Sequence, residues 1–257
     1  MDVAALQQPT CVSLDRVRAF ELHSARAWPA PEVLRLHGWE ARLTPGSRSR
    51  RVNSLNAITP VPGGFPDALA EARRLCQARG LPCTVRLTPL TPPDALSLLA
   101  TGEAAPAGET IVMAVDLSAE PPPAADGVEI TSAATPSWLD GMAASGADAE
   151  ERALIARLVG AVAMPQGFAT VWRDGAAVAF GRAAVENGIA GVFHVATPPE
   201  ARRRGHGRTM TAALLAWAHR QGAREAYLQV VAENAPAAGL YRGLGFTEAY
   251  RYSYLRA

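Results

Sequence analysis

Residues 197–207 bring together the residue types best suited to chemistry in this chain. They read T-P-P-E-A-R-R-R-G-H-G. Gly205 and Gly207 allow the backbone to turn sharply and to expose amide N–H groups. At the start of a helix, such N–H groups and the helix dipole favour an anion. Three consecutive arginines, 202–204, add positive charge beside them, so the segment predicts a phosphate-binding loop.

The loop by itself is only moderately specific. It lacks the lysine and Ser/Thr of a P-loop and the three-glycine spacing of a dinucleotide fold. The chain contains no lysine at all, so every basic residue is an arginine and a cluster of arginines is weaker evidence than usual. An arginine-rich helix start that binds nothing stays open as the alternative when the loop is taken alone.

A second segment raises the specificity. Residues 234–246 read N-A-P-A-A-G-L-Y-R-G-L-G-F. This segment resembles the signature N-x-x-A-x-x-L-Y-x-x-x-G-F of the GNAT family of N-acetyltransferases, and R-x-x-G-x-G at residues 202–207 resembles that family's pyrophosphate-binding motif. The resemblance covers residues 127–257 well, whereas the N-terminal half resembles the family only in the order of its elements.

The resemblance implies acetyl-CoA as co-substrate. We expect no metal, because the sequence contains no cluster of metal ligands. It implies that pantetheine pairs with a strand that parts from its neighbour, here the strand that contains Val195, Ala196 and Thr197. The Val195 N–H would then donate to the thioester carbonyl and stabilise the developing oxyanion. The pyrophosphate contacts would fall, mainly through backbone groups, on Arg202, Arg203, Arg204, Gly205, His206 and Gly207.

The resemblance also assigns roles to two residues of the second motif. Tyr241 matches the tyrosine that protonates the departing thiolate, a step that needs an acid; the alternative is that it only packs its helix on the sheet. Asn234 matches an asparagine near the pantetheine arm. It is equally suited to cap the following helix, and a cap alone stays open.

The general base is the weakest inference. The position where some relatives carry a glutamate is about Gly191 here, which has no side chain to act as a base. His194 is a candidate, but regular strand alternation places it on the face opposite to Val195. Glu186 is a second candidate at a hairpin turn, and deprotonation through water is a third possibility.

Residues for the amine acceptor are less well defined. We assign Gln229 and Asn53 to acceptor binding, with Tyr227 sharing the face of Gln229. The segment 50–56 reads R-R-V-N-S-L-N, and its polar residues either face the acceptor cleft or tie the two halves together. Tyrosines alternate along residues 250–254, where they line an acceptor site or, by preference, form a sheet surface or a contact with the other half.

The elements that must position these residues follow from hydrophobic periodicity and turn signals. In the C-terminal half we expect strands at 128–131, 168–173, 176–184, 189–196, 226–231 and 246–254, and helices at 137–144, 149–162, 207–221 and 235–242. In the N-terminal half we expect helices at 15–27, 67–79 and 93–100, a strand pair within 33–43, and strands at 83–87 and 110–117.

These elements predict an α/β (α+β) fold, a GNAT-like, mixed but largely antiparallel splayed sheet flanked by helices, in two tandem copies. We place a degenerate N-terminal copy at 1–117, a proline-rich linker at 118–126 and the acetyltransferase domain at 127–257. Gly63 and Gly64 stand where a first phosphate-binding loop would lie, but they lack the arginine motif.

Composition narrows the class further. The net charge is +1, which argues against a nucleic-acid binder. The three cysteines lack metal-site spacing, and no leader or membrane-length apolar run is evident, so we expect a cytoplasmic protein, either a pseudo-dimeric monomer or a homodimer. The leading reading is an enzyme that acetylates a small-molecule or peptide amine; a longer acyl-CoA donor and a non-catalytic acyl-CoA sensor are the alternatives.

Overall fold

The computed structural model describes residues 4, 7–103, 105–119, 126–144 and 146–257. The helices are α1 (Leu14–Ala27), α2 (Phe65–Gln77), α3 (Pro93–Ala100), α4 (Pro136–Ala144), α5 (Ala149–Gly160), α6 (His206–Arg220) and α7 (Ala235–Arg242). The first strands are β1 (Glu32–Leu36), β2 (Trp39–Leu43), β3 (Ser54–Ala57), β4 (Thr84–Leu87), β5 (Ala107–Asp116) and β6 (Val128–Thr131). The remaining strands are β7 (Gln166–Arg173), β8 (Ala176–Glu186), β9 (Ile189–Ala196), β10 (Glu225–Val231) and β11 (Thr247–Arg256).

The predicted elements all appear, with ends that move by up to three residues. The C-terminal hairpins could be predicted from their turn residues. Positive φ angles, as a tight hairpin requires, are found at Asp174, Gly175, Asn187 and Gly188. One strand, β3, was not predicted as such, because its polar residues obscure the apolar alternation. The mixed, largely antiparallel sheet with flanking helices is confirmed.

The chain forms two compact units whose limits differ from the predicted domain limits. Unit 1 comprises Met1–Val112, Val231–Glu233 and Glu248–Ala257, and unit 2 comprises Met113–Val230 and Asn234–Thr247. The last strand, β11, therefore belongs almost entirely to the unit built from the N-terminal half. Six residues of the proposed linker, 120–125, lie outside the described residues, and the linker stays a prediction.

Unit 1 holds the sheet β1-β2-β3-β4-β11, with the first part of β5 beside β11. From β1 to β11, neighbouring strands run antiparallel except β3 and β4, which pair in parallel through Leu55 and Asn56. β11 fills the place next to β4, where Ser253 pairs with Leu87. The order strand, strand, strand, helix, strand, helix, strand occurs here as β1-β2-β3-α2-β4-α3-β5.

Unit 2 repeats this order as β7-β8-β9-α6-β10-α7-β11, although its last strand leaves the unit. Its sheet runs from the second part of β5 through β10, β9, β8 and β7 to β6. Only β9 and β10 run in parallel among these registered pairs. Helix α6 packs closely on the sheet because Gly167 and Gly181 have no side chains: a Cβ would lie 2.8 Å from the Trp217 ring and 2.2 Å from the Met210 sulfur.

A buried ion pair stabilises the core of unit 1. Glu21 is 5% exposed and accepts hydrogen bonds from Arg86 Nη2 at 2.8 Å and from the Tyr250 hydroxyl at 2.6 Å. Arg86 stacks on the Tyr252 ring, 3.7 Å from its centroid. Burial by itself would lower the pKa of Arg86, but the Glu21 carboxylate raises it, and the net shift is upward. The tyrosines of β11 are thus packed against residues of the N-terminal half, as preferred from the sequence.

We expect Glu21→Gln to lower the free energy of unfolding by about 3–5 kcal/mol, because it leaves the buried Arg86 charge without its counter-ion. The matched control is Glu248→Gln, which removes a carboxylate from the half-exposed pair with Arg251 and should cost less than about 1 kcal/mol. Denaturant unfolding of both variants measures the difference. Equal losses would show that the Glu21 pair does not hold unit 1 together.

Candidate active site

A β-bulge interrupts the strand that precedes the arginine-rich loop. Phe180 of β8 pairs with Ala196 and Arg182 pairs with Phe193, so Gly181 faces two residues of β9, His194 and Val195. His194 has φ 53°, in the left-handed region. We predicted that His194 and Val195 lie on opposite faces because we assumed a regular strand. That assumption is wrong, because a bulge breaks the alternation of side chains.

The side chain of Trp138 from α4 supports this bulge. It is fully buried, and its Nε1–H donates to the Gly181 carbonyl at 2.9 Å. Its ring meets the His194 ring at 73° with centroids 5.7 Å apart, and the Phe168 ring at 89° and 5.1 Å. Trp138 therefore contacts both strands at the bulge, β8 at Gly181 and β9 at His194, a role that the sequence did not indicate.

β9 and β10 stop pairing just before the bulge. Their parallel register runs from Ile189 opposite Glu225 to Val192 opposite Leu228, and within the described residues it continues no further. Both strands nevertheless extend beyond that point, to Ala196 in β9. An extended ligand can pair with backbone N–H and C=O groups at a place where two neighbouring strands stop pairing with each other.

The loop after β9 ends in an open helix start. Gly205 is the N-cap of α6 with φ 81°, and no side chain caps the helix. In the part of the chain that the structure describes, no backbone or side-chain group accepts a hydrogen bond from the N–H groups of residues 203–207. A Cβ on Gly205 would meet no described atom within 4 Å, and residues 203–205 are exposed. Helix-start amides of this kind are a ready site for an anion.

The arginines around this start have different tasks. Arg202 Nε donates to the Thr197 carbonyl at 3.0 Å and closes the loop on itself. Arg203 adopts φ 63°, and with Arg204 it is exposed. Arg208 Nη1 donates to the Gly243 carbonyl at 2.6 Å and so fixes the start of α6 to the end of α7.

Helix α7 places the two residues of the second motif. Asn234 caps it by accepting a hydrogen bond from the Ala237 N–H at 3.2 Å, which confirms the cap; a further contact with a cofactor stays a prediction. Tyr241 is buried, and burial raises its pKa to about 12. Its ring meets Phe246 at 6.0 Å between centroids, and among the described residues none shares a hydrogen bond with its hydroxyl group. Tyr241 thus remains protonated throughout the neutral pH range.

The candidate bases lie at different distances from the point where β9 and β10 stop pairing. Glu186 closes the β8–β9 hairpin opposite Ile189, six residues or about 20 Å along the strand from Val195. Gly191 has no room for a side chain, since a Cβ would lie 2.5 Å from the Phe193 ring. His194 lies in the bulge itself, beside the parting strands.

The predicted acceptor residues fall in different surroundings. Gln229 is half-buried and follows Leu228, the last paired residue of β10, while Tyr227 is fully buried with its ring 6.1 Å from Phe193. Asn53 belongs to unit 1, where its amide bonds to the Thr44 N–H at 2.7 Å, the Thr44 carbonyl and the Ser47 carbonyl. Through these contacts Asn53 stabilises the backbone at Thr44 and Ser47. Acceptor binding by Asn53 stays a prediction.

In the loop before the matching helix of unit 1, both glycine N–H groups are occupied. The Gly63 N–H donates to the carboxylate of Asp94 at 3.1 Å, and the Gly64 N–H donates to the Val61 carbonyl at 3.0 Å. A carboxylate thus lies where unit 2 leaves its amides open, and it would repel a phosphate. The N-terminal loop therefore lacks both the arginines and the open donors of the unit 2 loop.

No cluster of three or more potential metal ligands is found in the described parts of the chain. None of the helices described combines the length and apolar character needed to cross a bilayer.

Comparisons with known proteins agree with this arrangement. The family model described as "Probable histone acetyltransferase Rv0428c C-terminal" matches residues 15–255. The uncharacterized N-acetyltransferase YobR of Bacillus subtilis (strain 168) is 24% identical over 246 residues, covering 94% of this chain and 98% of that protein.

Solved structures share the fold over nearly the whole chain. A GCN5-related N-acetyltransferase from Kribbella flavida has a TM-score of 0.65 at 20% identity and covers 93% of both chains. A tandem GNAT protein from the clavulanic acid biosynthesis pathway has a TM-score of 0.65 at 15% identity, covering 92% of this chain and 86% of that one. The family model spans both units, and the open helix start lies beside the point where β9 and β10 stop pairing. This chain therefore belongs to the GNAT superfamily, in the family of the Rv0428c C-terminal acetyltransferase domain.

Proposed function

We propose that unit 2 transfers an acetyl group from acetyl-CoA to a primary amine of a small molecule or peptide. The observation that carries this proposal is the combination of uncapped N–H groups at residues 203–207 with the end of β9–β10 pairing at Val192. The first feature suits a diphosphate, and the second suits an extended amide-containing arm. Bound acetyl-CoA supplies an acyl thioester, which an amine can attack.

The residues of the chain then have distinct tasks. The N–H groups of residues 203–207 bind the pyrophosphate, and Arg203 and Arg204 add charge from the exposed side. Backbone groups of Val195, Ala196 and Thr197 pair with the pantetheine arm. The Val195 N–H donates to the carbonyl oxygen as negative charge develops on it, which lowers the barrier to attack.

Tyr241 completes the reaction as an acid. The amine nitrogen forms a bond to the carbonyl carbon, the carbon–sulfur bond breaks, and Tyr241 donates its proton to the departing sulfur. Its raised pKa keeps that proton in place at neutral pH, and exchange with solvent restores it. The amine loses its own proton to water or to His194, whose position in the bulge makes it the better-placed side chain.

An assay of CoA release over a panel of amines tests the proposal. We expect turnover with at least one primary amine and with acetyl-CoA preferred over longer acyl-CoA donors. Tight CoA binding without turnover on any amine would instead support a non-catalytic sensor. Preference for a longer chain would replace acetyl-CoA as the donor while leaving the binding site intact.

We expect Gly205→Asp to abolish CoA binding, because the new carboxylate projects into the space that the pyrophosphate would occupy. The matched control is Gly205→Asn, which has the same shape without the charge, and both residues tolerate the left-handed φ better than most. Since no atom lies within 4 Å of a Cβ at this position, both variants should fold. Calorimetric titration with CoA should show at least about tenfold weaker binding for the aspartate than for the asparagine variant. Similar affinities in both would argue against a phosphate at this helix start.

We expect Tyr241→Phe to lower kcat by about 10²–10⁴-fold while leaving the Kd for CoA nearly unchanged, because only the proton donor is lost. Tyr254→Phe is the control, since it also removes a buried hydroxyl group but in unit 1, and its kcat should equal that of the wild type. Steady-state kinetics with the best amine measures both. Full activity in Tyr241→Phe would assign the residue to packing alone.

A further inference from the structure

Two of the three cysteines of this chain lie side by side in unit 1. Cys76 is in the last turn of α2, and Cys83 directly precedes β4. Both residues are buried, and their thiol groups share a hydrogen bond. The two thiols are thus in contact although residues 77–82 separate them in the chain. The acetyl transfer proposed for unit 2 does not use this pair.

Hydrogen bonds hold the backbone on both sides of the contact. The Cys76 carbonyl accepts a hydrogen bond from the Leu81 N–H at 2.9 Å. With Gly80 at φ 64°, this bond turns the chain back at the end of α2. The Cys83 carbonyl accepts a hydrogen bond from the Ala257 N–H at 3.0 Å, next to the end of β11. The fold therefore keeps the two thiols together, and they need not find each other before they react.

The surroundings of the pair favour a thiolate at Cys76. The hydrogen bond from Cys83 lowers the pKa of Cys76; burial opposes this shift, and the positive charge of Arg79 supports it. An ion pair holds Arg79 in place, because its Nε donates to Glu32 at 2.7 Å. The hydrogen bond with Cys76 and burial both raise the pKa of Cys83. Since the thiolate is the reactive form of cysteine, Cys76 is the nucleophile of the pair.

Both cysteines lie next to exposed chain. Cys76 is 7% exposed and Cys83 is 9% exposed, and their neighbours Gln77 and Pro82 are exposed. A small uncharged molecule such as hydrogen peroxide can approach such a site, whereas a protein that exchanges disulfides needs a larger exposed surface. The pair is therefore suited to oxidation by a peroxide.

The third cysteine is too far from the pair to take part. Cys11 is exposed, and its N–H donates to the Ala249 carbonyl near the start of β11. Cys83 is fixed at the opposite end of that strand, at Ala257. The extended chain between these two points spans about 25 Å, far more than a disulfide can bridge. Of the three cysteines, only Cys76 and Cys83 can therefore be linked within the folded chain.

We propose that Cys76 and Cys83 form an oxidation site at which hydrogen peroxide converts the two thiols into a disulfide. The Cys76 thiolate attacks one peroxide oxygen, the O–O bond breaks and hydroxide leaves, so that Cys76 becomes a sulfenic acid. The Cys83 sulfur then attacks the Cys76 sulfur and the S–O bond breaks. The departing hydroxide takes the Cys83 proton and forms water. The two sulfur atoms together lose two electrons, which reduce the peroxide.

Peptide mapping of the wild-type chain tests the proposal. The reduced full-length protein is treated with hydrogen peroxide under native conditions, and its remaining thiols are then alkylated in denaturant. Trypsin cuts between the two cysteines at Arg79, so mass spectrometry without reduction detects a disulfide as a linked pair of peptides. We expect a link between Cys76 and Cys83 that dithiothreitol removes.

Three variants test the roles of the two sulfur atoms, with circular dichroism as the check of folding. In Cys83→Ser the sulfenic acid has no thiol to react with, so dimedone should label Cys76. In Cys76→Ser, dimedone should label Cys83 at least about tenfold more weakly, because burial keeps the Cys83 thiol protonated. Cys11→Ser is the matched control and should form the disulfide like the wild type.

The wild-type map needs no substitution, so it decides the proposal even where a variant fails to fold. Free thiols at Cys76 and Cys83 after peroxide treatment would overturn the proposal. A link from either cysteine to Cys11 or to a second chain would do the same. Dimedone labelling of Cys83 in Cys76→Ser as strong as that of Cys76 in Cys83→Ser would refute Cys76 as the attacking thiol. The site lies within unit 1, and none of these results depends on the proposed acetyl transfer.

Discussion

The arrangement of unit 2 depends on one local irregularity, the bulge at His194. A residue with a left-handed backbone conformation in the middle of a strand is strained. At His194 the packing of neighbouring side chains stabilises this conformation. Trp138 donates a hydrogen bond to the Gly181 carbonyl opposite the bulge, and its ring packs edge-on against the His194 ring. The pairing of β9 with β10 ends just before this point. The bulge in the β8–β9 pair and the end of the β9–β10 pairing thus lie within a few residues of each other in β9.

The two units share one order of elements but differ at the start of the helix that follows the third strand. In both, a strand leads through a glycine-containing loop into a helix. In unit 2 the amides of that helix start are open, whereas in unit 1 the Asp94 carboxylate binds the Gly63 N–H. The carboxylate of Asp94 neutralises the positive potential of this helix start, which would otherwise attract a phosphate. Unit 1 instead concentrates its charge in the core around Glu21, Arg86 and Arg42.

Much of the fold was predictable from sequence because its signals are local. Hairpins at Asp174–Gly175 and Asn187–Gly188, the cap at Asn234 and the helix start at Gly205 depend on neighbouring residues only. β3 was missed as a strand because Asn53, Ser54 and Asn56 are buried polar residues, and their hydrogen-bond partners, such as Thr44 and Glu40, lie elsewhere in the chain.

The sequence by itself determined the order of the elements, the loop at residues 202–207 and the second motif around Tyr241. Tertiary structure alone decided that β11 belongs to unit 1, that Trp138 supports the bulge and that the amides of Gly63 and Gly64 are occupied while those of residues 203–207 are open. Periodicity and turn chemistry report the conformation of a few consecutive residues. They carry no information about which distant carbonyl or carboxylate will reach a given N–H group, and that choice separates the site of unit 2 from its counterpart in unit 1.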